Sequence, residues 1–253
     1  MATFLVQPRS FTVVSGSASA TNMNRDEPGL VWRPGGTSGS VTIQHDGTAW
    51  DTIALVNSNL RGTATVQVRA GASSGAVDGS SGLALNQTVQ AYTGVAPAQG
   101  SGTITYITLA VPITSPFVRI DISDSGNPAG LVQVSRLVLG KRVEHDGITS
   151  DSAMTILDTS DLPSGLGWTA VNPFPTKRSW RVKMDGLTDT KYWNDYDNLL
   201  NVAGAKAGVL FVPDTDVAFV QRQAVFGRFT GQPVSIESPV ADHNIVAFVI
   251  TAI

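Results

Sequence analysis

The 253-residue chain has no cysteine, so disulfides and thiolate metal sites are excluded. Charge is also scarce: charged residues make up 15% of the chain and the formal net charge is −3. A duplex-binding protein carries a basic stripe. Here the densest basic runs are Lys141-Arg142 and Lys177-Arg178 with Arg181 and Lys183. In an acidic chain these read as solvated faces, so no nucleic-acid partner is expected. No apolar run reaches the roughly 18 residues of a membrane-spanning helix, so no membrane insertion is expected. The opening MATFLVQPRSF lacks a basic segment and a long apolar run, and does not read as a signal peptide. A reducing cytoplasm suits a cysteine-free chain at least as well as secretion does.

What the chain does have is 42% hydrophobic residues, 25 glycines and 13 prolines. That composition predicts an all-β fold with many short connections. The stretch TATVQVRA alternates: Ala64, Val66, Val68 and Ala70 on one face, Thr63, Thr65, Gln67 and Arg69 on the other. FVRIDI repeats the pattern with Val118, Ile120 and Ile122. RAGASSGAVDGSSG reads as a surface loop that cannot start a stable helix.

The polar stretch Glu144 to Ser152 divides the chain into two expected β-sandwich or jelly-roll-like domains, 1–145 and 146–253. In the second, RSWRVKM alternates, with Trp180, Val182 and Met184 on one face. One amphipathic helix is expected at about 189–203, capped by Thr188 or Asp189 and ended by Gly204. Its stripe of Tyr192, Trp193, Tyr196, Leu199, Leu200 and Ala203 reads as core. The closing NIVAFVITAI is apolar on both strand faces, so both should be covered, within a subunit or between subunits. Val246, Phe248, Val249 and Ile250 are the interface candidates.

Motifs of chemistry are few. Gly71-Ala72-Ser73-Ser74-Gly75 fits G-x-S-x-G, but without a following helix it lacks the setting of a nucleophile. His45, His145 and His243 each adjoin an aspartate and read as exposed turn residues with no close metal spacing. Asp121, Asp124 and Asn127 are calcium candidates, in a segment that also suits an ordinary turn. Phosphate-binding loops are absent. No enzyme, cofactor or metal is therefore expected.

WDTIALVNSNLRGTATVQVRAG, followed later by SPFVRIDISDSGNPAGLVQVSRLVLGKRVE, resembles the galactose-binding-like (discoidin-type) jelly roll of tail-tip and baseplate proteins of long-tailed bacteriophages. EPGLVWRP resembles the opening of such proteins. RSWRVKMDGLT, LLNVAG, GVLFVPD and AVFGRF resemble their distal-tail-like part. The resemblance implies a virion structural component, made in the host cytoplasm. It would form a homo-oligomeric ring or collar at the tail end and contact other phage tail and baseplate proteins. The alternative is a carbohydrate-binding module that recognises host-surface glycans, for which Trp32, Trp50 and Tyr92 are the aromatic candidates.

Overall fold

The computed structural model describes residues 2–98, 100–240 and 242–253, and the side chains of these outside 231–240. In chain order it contains β1 (Thr3–Val6), β2 (Thr12–Ser15), a 3₁₀ helix (Ala18–Asn24), β3 (Ser38–Gln44), β4 (Trp50–Ser58) and β5 (Thr65–Gly71). Next come a short helix α1 (Ser74–Gly79), β6 (Leu83–Gln90), β7 (Thr103–Ile113), β8 (Phe117–Ser123) and β9 (Arg136–Gly140). The second half adds β10 (Arg142–His145), β11 (Ala153–Leu157), β12 (Ser164–Gly165), β13 (Trp168–Thr169) and β14 (Lys177–Leu187). Helix α2 opens at Asp189–Lys191, widens into a π turn at Tyr192–Tyr196 and closes at Asp197–Ala203. The chain ends with β15 (Val209–Val212), a short α3 (Val220–Gln223), β16 (Val225–Val240) and β17 (His243–Ala252). The fold is all-β, as the composition indicates.

The first unit is a sandwich. A five-stranded sheet, β2-β3-β8-β5-β6, faces a three-stranded sheet, β7-β4-β9, and every pairing is antiparallel. The alternating residues Val66, Val68, Ile120 and Ile122 fill the space between the sheets, with Ile53 and Leu55 opposite. The second unit is a seven-stranded antiparallel sheet, β10-β1-β15-β16-β17-β14-β11. One of its faces packs on α2 through Tyr192, Tyr196, Leu199 and Ala203.

The boundary expected at residue 145 does not hold for the first strand. β1 pairs with β15, so the N-terminal strand belongs to the second sheet. Alternation along β1 decides its packing. Leu5 joins the α2 side, whereas Phe4 and Val6 turn to the other face. There they meet Ala54, Val56 and Val138 from the outer face of the three-stranded sheet. The two units therefore share an apolar layer, and β4 is covered on both sides. This explains why DTIALV is apolar without alternation: strands buried on both faces read as continuous hydrophobic runs.

α2 corrects the reading of its stripe. Tyr192, Tyr196, Leu199 and Ala203 are buried, but Trp193 is 62% exposed and Leu200 only half-buried. The buried face is one residue narrower on each turn than the composition of the stripe suggested. Thr188 does cap the helix, its Oγ accepting the Lys191 N–H at 3.2 Å. The segment after β5 is corrected as well: Ser74–Gly79 forms a helix, with Val77 buried beneath it. β17 is a central strand. Val246, Phe248 and Ile250 are buried within the subunit against α2, with Phe248 between Phe211 and Phe229. They are therefore core rather than interface, and only Val249, half-buried on the opposite face, keeps accessible surface.

Candidate functional site

Trp32 and Trp50 cannot serve as aromatic platforms, because both are 0% exposed. Their indole N–H groups are satisfied internally, Trp32 by Ser17 Oγ at 2.9 Å and Trp50 by the Ser115 carbonyl at 3.3 Å. Tyr92 is half-buried and lines an apolar cleft with Tyr106, Val217 and Val220, where the two units meet.

The calcium candidates are engaged elsewhere. Asp121 pairs with Arg69 at 2.6 Å and Arg119 at 3.0 Å. The buried Asp124 carboxylate accepts the Arg61 guanidinium and backbone N–H and the Asn127 amide. These bonds fix the turn between β4 and β5 to the turn after β8. Among the described residues, no three acidic or imidazole groups converge as a metal site.

The histidines are not all exposed. His45 is buried, its Nδ1 accepts the Gly47 N–H at 3.1 Å, and its Nε2 lies 2.7 Å from the Ser115 carbonyl. This geometry fits a proton on Nε2. His145 is half-buried in β10, and its two ring nitrogens face the Gly147 and Asp185 carbonyls. His243 pairs with the Asp185 carboxylate at 2.7 Å. Ser73 does stand at a strand–turn–helix junction, but as the helix cap: its Oγ accepts the Ala76 N–H at 3.2 Å. Its backbone is extended, at φ −147°, and so is unstrained.

Two larger clefts remain, the first mainly polar and the second mainly apolar. The first, of about 600 Å³, lies between the sandwich and α2 and mixes Arg9, Lys141, Asp46, Asp195 and Asn198, with no aromatic wall. The second, of about 650 Å³, lies where the β4–β5 turn and the loop before β7 meet the segment entering β14. Its jelly-roll side presents Asn57, Ser101 and Gln133, and its other side Phe174, Thr176, Lys177 and Arg178.

Local chemistry builds this second cleft. Asn57 has φ +51°, a left-handed conformation that asparagine adopts more readily than most residues. Asn59, two residues on, donates to the Leu131 carbonyl at 2.8 Å and accepts the Gln133 N–H at 2.8 Å, which fixes the turn. Pro173 and Pro175 flank Phe174, which is 55% exposed. Prolines remove backbone donors and stiffen the loop, so the ring is held out of the core at little entropic cost. Arg178 is half-buried and donates to the Gln221 carbonyl at 3.1 Å.

Several groups in this cleft carry no internal bond. Among the described residues, Asn57, Ser101, Thr176 and Lys177 have no side-chain hydrogen-bond partner, while Gln133 uses only its oxygen, on Arg33 at 3.0 Å. An aromatic face beside uncommitted amides and hydroxyls is a surface for a ligand that is polar at its edges and apolar on its faces. The sequence reading passed over these residues. VNPFPTKR holds the one available signal, an aromatic between two prolines followed by two cations, and the cations line a cleft rather than a solvated face.

No family model matches the chain, and no curated protein matches it. About half of the chain aligns with solved structures. One is the family 32 carbohydrate-binding module of Streptococcus pneumoniae EndoD, at 18% identity and TM-score 0.37, covering 53% of this chain and 97% of that one. Another is CpGH89CBM32-6 produced by Clostridium perfringens, at 13% identity and TM-score 0.35, covering 52% and 92%. A third is reduced XRCC1 bound to a DNA polymerase β catalytic domain, at 16% identity and TM-score 0.36, covering 54% and 98%. Shape alone transfers no ligand or role from any of them.

Proposed function

We propose that the protein is a non-catalytic carbohydrate-binding protein, and that its saccharide lies in the cleft between Asn57 and Phe174. The observation that carries this reading is the pairing of the Phe174 ring with uncommitted hydrogen-bonding groups across the same cleft. A sugar ring offers hydroxyls at its rim and C–H groups on its faces. It can satisfy the amides and cover the ring together. The test is a glycan array probed with the purified full-length protein. The reading predicts selective binding that Phe174→Ala weakens while the fold survives; an array with no bound glycan would overturn it.

A second reading, a structural component of a long-tailed phage tail, is favoured by a different feature. Edge strand β11 and the arm that follows it to residue 174 expose Met154, Ile156, Leu166, Trp168 and Val171. Leu166 is wholly exposed. Exposed apolar side chains gathered along one arm suit a protein interaction site. Light scattering of the purified protein tests for self-association through this arm: Leu166→Ser with Trp168→Ser should lower the assembled mass, and an unchanged monomer in both forms counts against a homo-oligomeric ring.

A further inference from the structure

The saccharide cleft has a charge asymmetry that a neutral sugar would leave unanswered. Lys177 and Arg178 both line it, whereas no aspartate or glutamate does. Among the described residues neither cation has a carboxylate within ion-pair distance, 4.0 Å, nor does Arg222, whose charge acts on Arg178. Leu157 pairs with Lys177, and the next residue, Asp158, accepts the Ser160 N–H at 2.9 Å and is not part of the cleft wall. Glu237, outside the described side chains, pairs in register with Ile245, far along β17 from the Thr251 end that borders Ser179.

Arg61, Arg69, Arg119, Arg136 and Arg142 each meet a carboxylate within 3.1 Å. Among the described residues Arg25, Arg33, Arg181 and Arg222 have no such partner, but all four are exposed. Arg178 is half-buried, meets only a carbonyl, and lies near a like charge. Burial first, and then Arg222, hold its pKa below the ordinary arginine value. The fold thus carries an electrostatic cost at this place that an incoming anion relieves.

Resting on the saccharide reading of this cleft, we infer that its ligand is an acidic saccharide, whose carboxylate or sulfate lies against Arg178 and Lys177 while its ring covers Phe174. The guanidinium fork suits a two-oxygen contact, and Lys177 adds a mobile point charge at the rim. Asn57 and Ser101, across the cleft, are left for the hydroxyls.

The experiment uses the full-length protein in titration calorimetry against matched sets: uronate oligosaccharides, their methyl esters, and sulfated and unsulfated forms of one backbone. The acidic member of a set should bind about tenfold or more tightly than its neutral partner. The affinity should fall as salt rises. Preference for the uronate over its ester assigns a carboxylate, and preference for the sulfated form a sulfate. Arg178→Gln and Lys177→Gln should each erase most of the preference, read as the ratio of acidic to neutral affinity within the same variant. Lys177, being exposed, keeps the test valid if Arg178→Gln fails to fold. Equal affinity for acidic and neutral partners would overturn the inference and leave the saccharide reading standing. Binding of none of them would overturn both. Tighter binding of a single-stranded oligonucleotide than of any acidic sugar would also overturn it.

Discussion

The backbone of Gly102 lies directly against that of Asn57: a Cβ built on Gly102 would overlap the Asn57 Cα and stand 2.8 Å from its carbonyl carbon. The loop before β7 therefore reaches the end of β4 only because residue 102 has no side chain. Gly102→Ala should push the loop off β4 and cost about 1–3 kcal/mol by overpacking. A lowered melting temperature together with weaker saccharide binding is expected. An unchanged melting temperature would show that the loop does not meet β4 as described.

Asp26 ties the two units together. Its carboxylate lies 3.1 Å from Arg136 Nε in β9 and accepts the Gly208 N–H at 2.7 Å, just before β15. The Arg136 Nε–H is not aimed at an acceptor, so that contact is an ion pair rather than a hydrogen bond. Arg136 also donates from Nη1 to the Met23 carbonyl at 2.7 Å. Asp26→Ala strands a buried guanidinium and a backbone donor, and should cost about 3–5 kcal/mol. Denaturant unfolding measures this; a loss below ~1 kcal/mol would mean that water replaces the carboxylate freely.

The helix gives a paired test. Leu199 is 4% exposed and should cost about 2–5 kcal/mol on truncation to alanine, through lost transfer energy and a cavity. Trp193, on the outer face, should cost within about 0.5 kcal/mol, as surface substitutions do. Equal effects in thermal unfolding would mean that the Trp193 ring is covered in solution, by another copy or by the arm.

Asp46 supplies a pH signature. The Thr48 hydroxyl and N–H hold its carboxyl down to about 2. A depressed carboxyl contributes stability above the unfolded value, near 3.9, and loses it as pH falls through the folded value, so the window lies between the two. In an NMR titration the Asp46 carboxyl should move near pH 2 in the native chain. In Thr48→Val the midpoint should rise toward ~3.9, and an identical midpoint in both would remove the Thr48 hydroxyl as the cause.

Where one face is buried and the other wet, the pattern in the sequence was enough. Val66, Val68, Val118, Ile120, Trp180, Val182 and Met184 all point into the cores that their alternation indicated. The apolar run DTIALV also announced burial on both faces, but not its partner. That β1 crosses into the second sheet depends on pairing between Leu5 and Phe211, a contact of long sequence separation that no local pattern encodes. Trp193 was misplaced for a related reason: a helical stripe shows which residues can be buried together, while the width of the groove receiving them decides which are. The cleft was the least legible part. Asn57 and Ser101 are ordinary turn residues in sequence, and only the packing of two loops and one proline-flanked aromatic makes a site of them.

A saccharide in the cleft between Asn57 and Phe174 would perturb the backbone amides around it. The most direct measurement follows amide chemical shifts of the full-length protein as the best array glycan is added, in the native chain and in Phe174→Ala. Shifts concentrated at Asn57, Ser101, Gln133 and Thr176–Arg178 are expected, with their loss in Phe174→Ala while the rest of the spectrum stays intact. Shifts centred elsewhere, or undiminished in the variant, would contradict this placement.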